Sequence, residues 1–290
     1  MFMNGKDMQA YPSISVMMCA YNAARYIREA IDSVLNQSYN DFEFIIVDDG
    51  SADNTCEIIQ SFTDSRIRLI NGKHNYIASL NAGMRACRGD FIARMDADDK
   101  MQPERLEKQI EVMHKSADIA VCFSWSVAFG EREGLAGYFA KEKVDNAFFW
   151  LLTGNYLMHP TSMLRASFLK KYRIRYKNYP YAEDYKLWMD ISRVGGEFYV
   201  IPEPLMLYRI YSAQVSNKYH AEQSNTRLLI QQEIIEELIK RMPLEEKQIF
   251  SRLYQQTLYL NQMNLMQGKE IVALMYKLFC RTELYMQKIS

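Results

Sequence analysis

The 290-residue chain has no surplus of charge: 35 Lys and Arg stand against 35 Asp and Glu. Proteins that bind nucleic acid draw their affinity from an excess of Lys and Arg, so that class is set aside, a local basic patch excepted. Cysteine is scarce and poorly spaced for metal or disulfide chemistry. Five occur, an odd number, with no CxxC pair, and Cys19 and Cys122 lie in apolar runs. They read as buried thiols of a reducing compartment. No uninterrupted apolar run approaches the ~18 residues a membrane span needs. Met1 to Gln9 lacks the apolar centre of a secretory signal. The expectation is a cytoplasmic protein, at most peripheral at the inner face of the plasma membrane. Internal repeats and low-complexity segments are also missing.

The length suits one large α/β domain, or such a domain with a helical appendage. Strand and helix signals alternate through the first half. Ile14 to Cys19 reads as a strand and Ile27, Ala30, Ile31, Val34 and Leu35 as one face of a helix. Phe42 to Val47 is nearly all apolar, as expected of a parallel strand covered on both faces. Asp53 or Ser51 can cap the helix through Ile58, Ile59 and Phe62. Ile67 to Ile70, a helix through Ile77, Leu80 and Met84, the strand Phe91 to Met95 and a helix opened by Pro103 follow. This order predicts a mostly parallel, mixed central sheet with helices on both sides. Strands are expected at Ala120 to Phe129, Glu197 to Ile201 and Leu205 to Ile210. Residues 220–290 read as a purely helical region, divided by Pro243 and Gly268.

An acidic tetrad, Asp96-Ala97-Asp98-Asp99, directly follows the strand Phe91 to Met95. Three carboxylates in four residues repel one another. The stretch is therefore either a solvated turn capping the next helix or a site completed by a counter-charge. A hard divalent cation fits the second reading, because Mg²⁺ and Mn²⁺ prefer oxygen ligands and share them with phosphates. In open α/β sheets ligands bind outside the carboxyl ends of the strands. Three polar clusters fall at such ends: Ala20-Tyr21-Asn22, Asp48-Asp49-Gly50 and the tetrad. Together they make a site.

These clusters, with Asn81-Ala82-Gly83, His159-Pro160-Thr161-Ser162, Glu183-Asp184-Tyr185 and Tyr208-Arg209 downstream, occur in an order that resembles glycosyltransferase family 2. The resemblance covers roughly Pro12 to Ser216. It implies the Rossmann-like nucleotide-diphospho-sugar transferase fold, with a catalytic domain over 1–219 (a nucleotide-sugar half, 12–116, and an acceptor half, 117–219) and a helical region over 220–290. It implies that Ala20, Tyr21 and Asn22 line the nucleotide pocket, with Tyr21 against the base or ribose. Asp49 would accept from the base edge and Asp48 would shape the same turn. Asp96 would approach the ribose or a metal-bound water, and Asp98 would ligate Mn²⁺ or Mg²⁺. Asn81, Arg94, Ala97 and Arg209 would complete the nucleotide-sugar contacts, His159 would lie on the acceptor side, and Asp184, paired with Glu183, would be the general base.

The chemistry is coherent with these residue types. A metal held by carboxylates stabilises a departing diphosphate, and a carboxylate base activates the acceptor hydroxyl from the opposite face, which inverts the anomeric centre. The implied partners are a nucleoside-diphosphate sugar, UDP being the expected nucleotide, and a saccharide or lipid-linked saccharide in cell-surface polysaccharide synthesis. Plainer readings stand beside these. Tyr21 can be a packed aromatic, Asp49 a turn residue before Gly50, and Glu183-Asp184 the acidic first turn of a helix. His159 can be a satisfied histidine, and Arg209 a structural ion-pair partner. The sequence departs from the family at Leu80, where Arg is frequent, and at Tyr211, where His is frequent. Arg209, Arg94 or Lys73 could compensate. A catalytically silent nucleotide-sugar binder is the main alternative. A sugar nucleotidyltransferase is the lesser one, because no Gly-rich loop follows the first strand. The C-terminal helices can pack on the catalytic domain, form a homodimer contact or rest on a membrane surface. Ile249, Leu253, Thr257 and Leu260 form an apolar stripe, as a core-facing helix would, and Tyr254, Tyr259, Tyr276 and Tyr285 among Lys and Arg also suit an interfacial helix.

Overall fold

The structure is a computed structural model. It describes residues 11–137, 142–144, 147–152, 154–212, 214 and 218–241, and a few positions beyond, to 256. The stripe through Ile249, Leu253, Thr257 and Leu260, Tyr259, Tyr276, Tyr285 and the divisions at Pro243 and Gly268 lie outside the described residues. Packing divides the chain into two compact units. One comprises Met1–Val144, Leu157–Tyr176 and Gly196–Ser212; the other comprises Asp145–Tyr156, Lys177–Gly195 and Ala213–Ser290.

The first unit holds the sheet. In chain order its elements are β1 (Ile14–Ala20), α1 (Ile27–Leu35), β2 (Phe42–Asp48), α2 (Thr55–Gln60), β3 (Ile67–Asn71), α3 (Tyr76–Ala86), β4 (Phe91–Asp96), β5 (Lys100–Met101), α4 (Arg105–Lys115), β6 (Ile119–Gly130), β7 (Gly134–Gly137) and β8 (Lys143–Val144). After α5 (Ala147–Trp150) of the second unit come a 3-10 turn (His159–Thr161), β9 (Met163–Arg165) and α6 (Ala166–Lys171). The second unit then supplies α7 (Glu183–Arg193), the first β10 (Glu197–Ile210), and the second α8 (His220–Arg241).

The sheet order is β3-β2-β1-β4-β9-β6-β10-β5, with β7 on β6 and β8 on β10. Strands β3, β2, β1 and β4 are mutually parallel, as are β6 and β10, while β9 runs antiparallel between β4 and β6. The mixed sheet is the one the alternation of signals predicts. Alternation along the strands sorts two buried faces. Val16, Met18, Phe44, Ile46, Ala93 and Met95 pack with Ile31 and Val34 of α1 and Leu106 and Ile110 of α4. On the other face Gly83 of α3 lies against Met17 and Val47.

Two strand expectations, 197–201 and 205–210, prove to be one strand. The chain has Pro202 and Pro204 at the junction, which donate no N–H, and β10 crosses them with register shifts instead of ending. The pair Lys100–Met101 also forms a short strand on β10, so α4 begins at Arg105 and not directly behind the tetrad. Among the described residues no helix is long and apolar enough to cross a membrane.

Candidate active site

Register brings the three polar clusters level. Ala20 pairs with Asp48 across β1 and β2, and Cys19 pairs with Asp96 across β1 and β4. The turns after β1 and β2 are then tied together. Asn22 takes a positive φ of 48°, its N–H donates to Ser51 Oγ at 2.9 Å, and its Oδ1 accepts from Ala52 N at 2.8 Å. Ser51 Oγ in turn donates to Asp48 Oδ1, which links Asp48 to this turn. Tyr21 is 46% exposed, and its ring lies 4.5 Å from that of His74.

Asp49 is buried, and its Oδ1 accepts from Asn75 N at 2.9 Å and Ser79 Oγ at 2.7 Å. Gly72 makes this possible: a Cβ there would stand 2.5 Å from Ser79 Oγ and 2.8 Å from Asp49 Oδ1. His74, Ser79 and Gly72 carry no signal in the sequence, because each acts through its contact with Asp49, from the loop before α3 or from α3 itself.

One carboxylate oxygen from each of Asp96, Asp98 and Asp99 falls within 4.8 Å of the others. Burial, then the charge of Asp96, pushes Asp98 up to about 6 and Asp99 well above the usual carboxylate range. Asp99 Oδ2 is buried without a hydrogen-bond partner, while its Oδ1 accepts from Arg209 N at 2.8 Å. Three clustered oxygens, charges that oppose one another and an orphaned buried acceptor fit a hard divalent cation. The helix-cap reading of the tetrad is corrected: α4 starts six residues after Asp99, and Asp99 serves β10 instead. Ala97 is buried between these acids.

The remaining expected residues have mostly internal partners. Arg94 is buried; its Nη1 makes an ion pair with Asp96 that lacks hydrogen-bond alignment, and its Nη2 donates to Tyr76 Oη at 2.9 Å. Burial opposes the charge of Arg94, but Asp96, Tyr76 and Tyr176 together outweigh it and hold the pKa well above the ordinary arginine value. Arg209 donates through Nε to Asp98 O at 2.7 Å, pairs with Glu29 at 3.2 Å and lies 4.3 Å from the ring centroids of both Tyr26 and Phe129. The structural ion pair is therefore present. Asn81 is occupied with the backbone of Tyr176, donating to its O at 2.9 Å and accepting from its N at 3.1 Å. His159 is buried, with Nε2 2.6 Å from Tyr176 Oη; burial and then Arg94 hold its pKa well below the ordinary value. It is the satisfied histidine of the plainer reading. Leu80 is core.

Arg105 escaped sequence reading altogether. It is buried beneath the tetrad strand and donates to Arg94 O at 2.9 Å and Ser162 O at 3.2 Å. Burial and then Arg94 push its pKa down to about 9. In the second unit, Asp184 lies in the first turn of α7, where its Oδ2 accepts from Asn155 Nδ2 at 2.8 Å and its Oδ1 from Tyr185 N at 2.6 Å. Glu183 beside it is buried.

The sequence profile described as Glycosyl transferase family 2 matches residues 15–173. The chain belongs to glycosyltransferase family 2. An uncharacterized glycosyltransferase of Haemophilus influenzae is 32% identical over 96% of this chain and 89% of its own length. A putative glycosyltransferase of Bacillus subtilis, EpsE, is 35% identical over 70% of this chain and 74% of its own length. Among solved structures, S. aureus TarS 1-349 in complex with UDP-GlcNAc superimposes with a TM-score of 0.67 at 18% identity, over 82% of this chain and 70% of that one. A mannosyltransferase of Pyrobaculum calidifontis, in complex with GDP-Man and Mn²⁺, gives a TM-score of 0.55 at 12% identity, over 92% and 87%. At these identities the likeness establishes a shared fold. The family 2 glycosyltransferase thus carries its three loop clusters at the carboxyl ends of β1, β2 and β4.

Proposed function

We propose that this enzyme is an inverting glycosyltransferase that moves a sugar from a nucleoside diphosphate, UDP by expectation, to an acceptor hydroxyl. The observation that carries the reading is the meeting of three carboxylates beside two hydrogen-bonded loops at one sheet edge. The binding of UDP-GlcNAc by TarS and of GDP-Man with Mn²⁺ by the mannosyltransferase supports it by likeness of fold. Exposed Tyr21, next to His74, offers an aromatic face to a base, and the Asp48–Asn22 loop junction gives the nucleotide a fixed wall. Asp98 and Asp96, with the orphaned oxygen of Asp99 behind them, would hold Mn²⁺ or Mg²⁺. Such a cation, when bound, supplies Lewis-acid stabilisation to a departing diphosphate.

Asp184 is assigned as the base that takes the acceptor proton, with Asn155 fixing one of its oxygens. Arg209 acts in this reading by bracing the Asp98 backbone and not by gripping phosphate directly. The acceptor is assigned as a saccharide or lipid-linked saccharide of cell-surface polysaccharide synthesis.

The test is a thermal-shift screen of nucleoside diphosphates and their sugars with and without Mn²⁺, since ligands of the folded state raise Tm by mass action. A metal-dependent rise with one nucleoside diphosphate, abolished in Asp98→Asn, is expected. If no nucleotide stabilises the protein with any metal, the reading fails. Hydrolysis of a nucleotide sugar by the wild type separates the enzyme from a silent binder, which would show binding and no turnover.

A further inference from the structure

Between Asp145 and Glu183 the sequence contains six Lys and Arg and no Asp or Glu. In a chain with no net charge this is a local concentration of one sign. Two of the six are accounted for: Arg165 turns onto the carbonyls of Met113, Ser116 and Ile119, and Lys177 pairs with Asp190 at 2.6 Å. The other four, Lys170, Lys171, Arg173 and Arg175, fall within six residues and are all exposed. Among the described residues none of the four forms an ion pair. They sit on the last turn of α6 and the loop leaving it.

The backbone of this turn adds a second observation. The helix ends with Ile174 N donating to Leu169 O at 2.9 Å, and Arg173 takes a φ of +54°. That left-handed position is usually filled by glycine, because a Cβ is disfavoured there. Here the chain keeps a cation against its backbone preference. Between the cations stands Tyr172, 38% exposed, its ring 4.8 Å from that of Phe168 and 4.9 Å from Lys171 Nζ. A half-exposed tyrosine flanked by Lys and Arg suits the headgroup layer of a bilayer, where the ring meets apolar chains and the cations meet phosphates.

We propose that the turn from Lys170 to Arg175 is a docking surface for an anionic lipid bilayer. A planar anionic surface requires only a protruding cationic turn with an amphipathic ring. A nucleic acid would require basic residues spread along a track, and the charge balance of the chain speaks against that. The contact rests on this turn and needs no nucleotide, so it stands or falls apart from the donor reading. Each Lys or Arg near such a surface changes partitioning by about fivefold, less as salt screens it.

The experiment is co-sedimentation of the full chain with vesicles of phosphatidylcholine alone and of phosphatidylcholine with phosphatidylglycerol. Binding to the anionic vesicles only, weakened by salt, is expected. The variant K170E/K171E/R173E/R175E should lose at least about tenfold in partitioning. Arg173→Gly relieves the backbone and should melt no lower than wild type, yet bind about fivefold less, which separates docking from folding. Wild type that stays in the supernatant, equal binding to both vesicle types, or equal binding by wild type and the charge-reversed variant would each overturn the proposal.

Discussion

The phenolic oxygen of Tyr211 donates to Asp98 Oδ2 at 3.0 Å, while Arg209, two residues earlier, donates its own N–H to Asp99 Oδ1 at 2.8 Å. The end of β10 and the residue after it therefore hold half-buried Asp98 and buried Asp99 together. Tyr211 is further fixed by Tyr26, ring to ring at 5.2 Å. Asp99 Oδ2 is left buried without a hydrogen-bond partner, and the proposed cation would take it together with Asp98 and Asp96.

Tyr211→Phe keeps the ring and deletes the donor. A hydrogen bond to a charged group contributes roughly 1.5–3 kcal/mol, of which only the orienting part bears on a bound cation. Mn²⁺ affinity, read by calorimetry or by the spin resonance of free Mn²⁺, should fall about fivefold. An unchanged affinity would mean that Asp98 is positioned without Tyr211.

Gly72 is a second point of leverage, because its Cα faces Asp49 and Ser79 with no room for a methyl group. Gly72→Ala must push apart the Ser79–Asp49 hydrogen bond or shift the loop before α3. Overpacking of this kind costs about 1–3 kcal/mol. Tm should drop accordingly, and nucleotide-induced stabilisation should drop further than in a core variant of equal cost. Nucleotide binding unaffected by Gly72→Ala would remove Asp49 from the base pocket.

Much of this was legible in the sequence, and the division has a physical basis. Strands β1, β2 and β4 are buried on both faces, so their apolar runs are broken only by Ser15, Glu43 and Arg94 and their ends are sharp, and the clusters that follow each run can be placed by eye. The family order of motifs then assigned the fold. Arg209, His159 and Asn81 were harder. Each is a polar residue in a motif, and only its partners, Glu29, Tyr176 and the Tyr176 backbone, reveal which groups are already engaged. Strand β9 was missed because three residues, Met163–Arg165, carry no periodicity. Arg105 was missed because a buried arginine at a helix start contradicts both burial and dipole preferences; the carbonyls of Arg94 and Ser162 that satisfy it come from distant sequence.

The second unit depends on a charged cluster between α7 and α8. Lys186, buried, reaches Glu233 at 2.5 Å and Asp190 at 3.4 Å, and Tyr179 Oη also donates to Glu233. Burial, then Glu233, pushes the Tyr179 phenol up to about 12. Breaking a buried pair by removing one partner costs ~3–5 kcal/mol. Glu233 is 36% exposed and Lys177 still pairs with Asp190, so Lys186→Met should cost nearer about 2 kcal/mol. Urea unfolding of Lys186→Met, Glu233→Gln and the double variant checks this. The double should be clearly less destabilised than the sum of the singles, and strict additivity would show that the two residues are not coupled.

His159 predicts a pH dependence of stability. Its folded pKa lies well below the ordinary histidine value because burial and then Arg94 oppose the charged ring. In the unfolded chain it titrates near ~6.5. Between these two values the unfolded state holds a proton that the native state refuses, so stability falls as pH drops below ~6.5, by up to about 1.4 kcal/mol per pH unit. Above ~6.5 the contribution is complete and flat. Asp98 and Asp99, whose folded pKa values are raised, contribute the opposite slope, so the wild-type profile alone does not isolate the histidine. His159→Gln does: its amide can still meet Tyr176 Oη but carries no titrating proton. The difference in unfolding free energy between wild type and His159→Gln should be constant at pH 7–8 and should shift against wild type from pH 6.5 to 5. A difference that stays level across that range would place the imidazole in water, contrary to its burial beside Tyr176.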